Sequence, residues 1–162
     1  MEASRAVFSS YLLTFFLSFY STVATASERT AEQVVMEMFS AWNAVDLDRV
    51  IELFATDGVL HSVMTDPVVG RHHLRSHLAP LFAGIEKLEL KVQRIVVKGN
   101  TVFVERVDEF VFRGKKGSVP VVGVFEIRDG SVVEWREYYD RAQLYAEMGI
   151  PVPPAGAPAA TH

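Results

Sequence analysis

Apolar residues recur at three- and four-residue spacing from Thr30 to about Ala83, then alternate with polar ones from Leu88 to Tyr139. The change marks a switch from helical to strand period. Thr30 to Asn43 reads as a helix: Thr30 and Gln33 form a capping box, and Val34, Met38, Ala41 and Trp42 recur at helical spacing. Asp46 caps a second short helix whose buried stripe is Leu47, Val50, Ile51 and Phe54. Asp57-Gly58 breaks it, Val59 to Val63 makes a short strand, and Asp66-Pro67 opens a loop. Gly70 precedes a third helix over Arg71 to Ala83, with Leu74, Leu78, Leu81 and Phe82 on one face and Pro80 distorting its last turn.

The alternating half predicts four strands. Leu88, Leu90 and Val92 begin the first, which continues through Val97 to a turn at Gly99-Asn100. Thr101 to Arg113 follows, then a turn over Gly114 to Gly117, then Ser118 to Arg128. Asp129-Gly130 is a strong hairpin signal before Ser131 to Tyr139, and Arg141 to Met148 is a short closing helix. Three to four helices beside a mostly antiparallel sheet make an α+β domain. Such a sheet, curved around a helix, leaves a pocket open at one end, a common place for a small molecule.

The ends of the chain follow other rules. Ala6 to Ser27 carries no charge, follows Arg5, and contains the small-x-small ending Ala24-Thr25-Ala26. Residues 1–26 therefore read as a secretory signal, which places a processed protein in the periplasm or outside the cell. A membrane anchor or a loose extension fits the same stretch, and would leave the protein anchored or cytoplasmic. Residues 149–162 form a Pro/Ala/Gly tail expected to be disordered, leaving 27–148 as one domain. Hydrophobic residues make up 49% of the chain and charged ones 22%, a globular composition. The net charge of −4, without a basic stripe, gives a nucleic-acid partner no electrostatic support. The lack of cysteine excludes disulfides, thiolate nucleophiles and Cys-ligated zinc.

Candidate chemistry lies in the strands. Residues two apart share a face, so Arg106 and Asp108 point the same way as Val104 and Phe110, while Trp135, Glu137 and Tyr139 share a face of the last strand. If that face is concave, Arg106 and Asp108 enter the pocket. An Arg between two carboxylates satisfies both and can hold them in different protonation states, as an acid/base pair requires. An ordinary salt bridge, or charges facing water, fits the same spacing. His61, between Leu60 and Ser62, faces away from them on a regular strand; a bulge would turn it inward as a water ligand. His73 and His77 have an i,i+4 spacing that can bind zinc, but without an intervening Glu a solvated helix face is the simpler reading.

The segments Glu105-Arg106-Val107-Asp108, Val122-Gly123-Val124-Phe125-Glu126-Ile127, Asp129-Gly130 and Trp135-Arg136-Glu137-Tyr138-Tyr139-Asp140, with Pro67-Val68-Val69-Gly70-Arg71 upstream, resemble the limonene-1,2-epoxide hydrolase family. The resemblance runs from about Glu32 to Leu144. It implies the cone-shaped fold of nuclear transport factor 2 and ketosteroid isomerase, a homodimer, a small hydrophobic substrate, and a one-step reaction without metal, cofactor or covalent intermediate. In that reaction one Asp protonates the epoxide oxygen, a second deprotonates the attacking water, an Arg bridges them, and a Tyr and an Asn hold the water. By position Asp108 matches the acid, Arg106 the bridge and Glu137 the base. Leu60 stands at the Tyr position and Ser62 at the Asn position; Leu60 offers water no hydrogen bond, and Ser62 reaches less far than Asn. Besides epoxide hydrolysis, the residues leave open a non-catalytic protein holding an apolar ligand, and another acid/base reaction such as isomerisation or cyclisation.

Overall fold

A computed structural model describes residues 29–151. The expected secretory signal at 1–26, and the expected tail from residue 152 onward, lie outside the described residues. Ten elements follow in order: α1 (Ala31–Asn43), α2 (Leu47–Leu53), β1 (Phe54–Ser62), β2 (Val68–Val69), α3 (Arg71–Gly84), β3 (Ile85–Lys98), β4 (Thr101–Phe112), β5 (Lys115–Arg128), β6 (Ser131–Tyr139) and α4 (Arg141–Met148). The strands form one curved sheet in the order β2-β1-β6-β5-β4-β3. Every pairing is antiparallel except β1 with β6. The expected α+β architecture, with helices against a mostly antiparallel sheet, is therefore present. No helix among the described residues is long and apolar enough to cross a membrane.

The first helix starts where its cap requires. Thr30 Oγ1 accepts from the Gln33 amide at 3.2 Å, and Gln33 Oε1 accepts from the Thr30 amide at 2.8 Å. The inward face of α1 then buries Val34, Val35, Met38, Phe39 and Trp42 against the sheet. Phe39 meets Phe125 edge-on, with ring centroids 5.6 Å apart, and Phe125 stacks on Trp135 at 4.6 Å. Trp42 meets the other side of this cluster, 5.7 Å from Trp135. These aromatic rings floor the concave side of the sheet and set the distance between α1 and β6.

Several boundaries differ from the sequence pattern. Phe54 is the first residue of β1 rather than part of the α2 stripe; it is wholly buried, a position the strand satisfies as well as the helix would. The β1–β6 register shifts between Phe54 and Val59, around Asp57-Gly58, so the expected break is a bulge within one strand. Val68–Val69 pairs with Val59–Leu60 as a two-residue strand where a loop was expected, too short to show a period. The β4–β5 turn is Arg113-Gly114, with φ of 48° and 78°, and pairing resumes at Lys115. Positive φ at both central residues suits the right-handed twist of a hairpin. Gly117, expected in that turn, lies inside β5, where a Cβ would come 2.5 Å from the Phe110 ring. At the C-terminal end, Gly149 closes α4 at φ 72° and Ile150 packs on the core.

Gly84 ends α3 beneath Phe112, and a Cβ there would lie 2.2 Å from Cε2 of that ring. Gly84→Ala must displace the buried Phe112 and should cost about 1–3 kcal/mol of stability, the usual range for overpacking, read as a lower urea midpoint at unchanged slope.

Candidate functional site

Three charged side chains meet on the concave face. Alternation along β4 sends Val102, Val104, Arg106, Asp108, Phe110 and Phe112 inward, and Glu105 and Glu109 outward. Arg106 is 2% exposed, the one charged residue buried in the core of the described chain. Its Nε donates to Asp108 Oδ1 at 2.8 Å and its Nη2 to Asp108 Oδ2 at 3.1 Å, a bidentate pair. The same Nη2 also donates to Glu137 Oε1 on β6. Phe39 and Trp135 present their rings to the guanidinium, at 5.4 and 5.5 Å from Cζ. Arg106 thus bridges two acids across the sheet, the arrangement expected if these groups entered the pocket.

The bridge has to pass over β5. Gly123 pairs with Val104 on one side and Glu137 on the other, so it lies in the path from β4 to β6. A Cβ at Gly123 would come 2.8 Å from Arg106 Nη1. The missing side chain is what lets the guanidinium lie against the sheet. A glycine inside a strand marks such close approaches, so this role was available from the sequence, although Gly123 figured there only as part of the resemblance.

Burial and charge compete at Asp108 and Arg106. Burial raises the Asp108 pKa from 3.8 to about 6; Arg106 opposes the rise and Glu137 adds to it. Burial disfavours the Arg106 charge, but Glu137 and Asp108 outweigh it and hold the guanidinium above the ordinary arginine pKa. Because the folded state binds the Asp108 proton more tightly than the unfolded chain does, this carboxyl favours folding at low pH. That contribution fades as pH rises from about 4 to about 6.

The remaining expected residues divide. Parallel pairing sets Leu60 beside Trp135 and Ser62 beside Glu137, and both line the cavity. His61 pairs with Arg136 and, by alternation, points to the opposite face. The bulge that would have turned it inward lies upstream of Val59, so His61 is not a pocket residue. His73 Nδ1 lies 3.0 Å from the Val69 carbonyl oxygen. His77 stands at the pocket rim, where desolvation lowers its pKa. Among the described residues no three His, Asp or Glu side chains cluster as metal ligands would. Tyr139, expected from the sequence to share a strand face with Trp135 and Glu137, brings its hydroxyl into the site and donates to Ser62 Oγ at 3.1 Å. Burial raises the phenol pKa, and although the Ser62 hydrogen bond works against this, the Glu137 charge adds to it. The cavity holding these groups is about 160 Å³, with walls that include Leu78, Leu88, Phe110, Val119 and Leu144.

Residues 35–135 match the SnoaL-like domain family. The chain belongs to that family. Among curated proteins this SnoaL-like domain is similar to the epoxide hydrolase EphG of Mycobacterium tuberculosis H37Rv, with 35% identity over 57 residues. That match covers 35% of this chain and 38% of the relative. A solved M. tuberculosis epoxide hydrolase of the limonene-epoxide-hydrolase-like type is 26% identical with a TM-score of 0.64, over 73% of this chain and 88% of the other. A ketosteroid-isomerase-like protein from Catenulispora acidiphila superposes with a TM-score of 0.66 at 22% identity, over 76% and 97%. A proposed polyketide cyclase from Pseudomonas putida KT2440 gives 0.63 at 16%, over 74% and 98%. The last two establish the fold. The expected resemblance to epoxide hydrolases on a nuclear-transport-factor-2-like scaffold is thus borne out.

Removing the guanidinium leaves two acids facing each other in an apolar hollow. Arg106→Gln should cost about 3–5 kcal/mol at pH 7, because it strips two buried carboxyls of their shared counter-ion; a lower urea midpoint reads the loss. Gly123→Ala should push the guanidinium off Glu137 and cost about 1–3 kcal/mol, with the Asp108 carboxyl titration displaced in carbon-detected NMR.

Proposed function

We propose that this SnoaL-like domain hydrolyses a small hydrophobic epoxide to a diol in one acid/base step. The observation that carries the reading is the Arg106 bridge between Asp108 and Glu137 inside an apolar cavity. The similarity to EphG supports it. An apolar cavity of about 150 Å³ takes a benzene-sized molecule, so the volume here suits a single-ring substrate.

In this reading Asp108 is the acid and Glu137, across the guanidinium, the base. Asp108, with its pKa near 6, keeps a proton available and gives it to the epoxide oxygen as the strained carbon–oxygen bond breaks. Glu137 takes a proton from a water whose oxygen forms the new bond to the ring carbon. At the start Asp108 is neutral and Glu137 charged; at the end Asp108 is charged and Glu137 neutral. Proton exchange with solvent resets the pair. The negative charge moves from one side of the guanidinium to the other, and the pocket's net charge does not change. Arg106 stabilises it at either end without moving, which is how fixed charges lower a barrier in a low-dielectric site.

A second reading, an isomerisation or cyclisation by the same acid/base pair, is favoured by Leu60, which sets an apolar wall where a water ligand would stand. Reaction in ¹⁸O-labelled water separates the two: a diol carrying one labelled oxygen supports hydrolysis, and an unlabelled product of unchanged mass supports isomerisation. For hydrolysis, Asp108→Asn should lower kcat/KM about 10²- to 10⁴-fold with the circular dichroism spectrum retained. Wild-type kcat/KM should fall as pH rises past about 6, because the acid loses its proton there. Activity that is flat from pH 5 to 8, or intact in Asp108→Asn, would exclude Asp108 as the acid.

A further inference from the structure

We infer that Ser62 and Tyr139 together hold the attacking water against Glu137, with Tyr139 a positioning residue that acts through the serine hydroxyl. The inference rests on the hydrolytic reading above and adds to it the part of the site that orients the nucleophile.

Three side chains converge on one stretch of pocket wall. Glu137 and Tyr139 are two residues apart on β6 and share its inward face. Ser62 is the parallel-ladder partner of Glu137, and the bond from the Val63 amide to the Glu137 carbonyl, 3.1 Å, holds the end of β1 in that register. All three line the cavity. The Tyr139 hydroxyl spans from β6 to Ser62 Oγ at 3.1 Å, closing a small polar triangle in a wall otherwise made by Leu60 and Trp135.

Hydrogen-bond capacity assigns the roles. A serine hydroxyl has one donor and two acceptor sites and turns freely about its own bond. The tyrosine donor occupies one acceptor site and fixes the rotor, leaving one lone pair at a set direction. A water placed between Glu137 and Ser62 then gives one hydrogen to the carboxylate and the other to that lone pair. Its own lone pair faces the cavity, where the ring carbon would lie. Without Tyr139 the serine would turn, and the water would have Glu137 as its one fixed partner. A serine alone is a poor orienting group, and a serine pinned by a buried phenol is a better one. Burial keeps that phenol in its protonated, donating form.

The test uses the full chain with cyclohexene oxide and styrene oxide as probes. Tyr139→Phe removes the donor and keeps the ring. It should lower kcat about 10- to 100-fold, the scale of a misplacement of about 1 Å, while KM stays within twofold. The fall in rate past about pH 6 should not move, because Asp108 is untouched. Ser62→Ala should match Tyr139→Phe, Ser62→Thr should recover most of the activity, and the double variant should be no slower than Ser62→Ala, since the two act as one unit. A crystal structure of the wild type should show a water within hydrogen-bond reach of both Ser62 Oγ and Glu137, absent from Ser62→Ala. If Tyr139→Phe runs within twofold of wild type while Asp108→Asn is dead, the positioning role is wrong and hydrolysis stands. If the wild type turns over neither epoxide, or its crystals hold no such water, the water clamp is refuted. A displaced pH limb or a raised KM in Tyr139→Phe would show the hydroxyl to be merely structural and overturn the inference as well.

Discussion

A buried guanidinium organises this protein. Taking an arginine out of water costs several kcal/mol unless charge and hydrogen bonds replace the hydration. Here two carboxylates from different strands and two aromatic faces supply that replacement. The geometry constrains the sheet in turn: β4 and β6 must both face the pocket in a register that brings Asp108 and Glu137 within reach of one side chain. The strand between them must carry a residue without a Cβ at the crossing point. The core is built around an ion triad that a simple hydrophobic domain would exclude.

The same triad shows how burial and an ion pair compete at one carboxyl. Asp108 is held bidentately by Arg106, which works against protonation, yet burial outweighs the arginine and raises its pKa to about 6. A raised carboxyl of this kind is suited to donate a proton near neutral pH. The scaffold itself says less. SnoaL-like domains and their structural neighbours carry hydrolase and cyclase assignments on one architecture, so activity has to be argued from side chains.

What could be read from the chain beforehand follows the same division between local and long-range signals. The capping box at Thr30, the change of period after Gly84 and the alternation that sets Arg106 beside Asp108 are local, and each appears in the structure. The inward placement of Glu137 was legible from the Trp135-Glu137-Tyr139 alternation once the sheet was assumed to curve. Phe54 was misplaced because a large apolar residue at a helix–strand junction fits both periods, and β2 was missed because two residues carry none. The link from Tyr139 to Ser62 spans 77 positions and depends on β1 lying parallel to β6, which no period encodes. His61 was the converse case: alternation alone set it facing away from Leu60 and Ser62, and the regular pairing of Val59–Ser62 with β6 keeps it there.

That parallel ladder has a bearing on how the domain is made. β1 is the first strand to leave a growing chain, and its neighbour β6 is the last long one. Joining them closes a large loop, a step whose entropic cost delays it relative to the successive hairpins β3–β4 and β4–β5. Until β6 docks, Arg106 has Asp108 alone as its counter-ion, and Ser62 has neither Glu137 nor Tyr139 beside it. The ion triad is therefore completed by the final act of assembly, and a chain halted before β6 would hold most of its sheet with only the Arg106–Asp108 half of the triad.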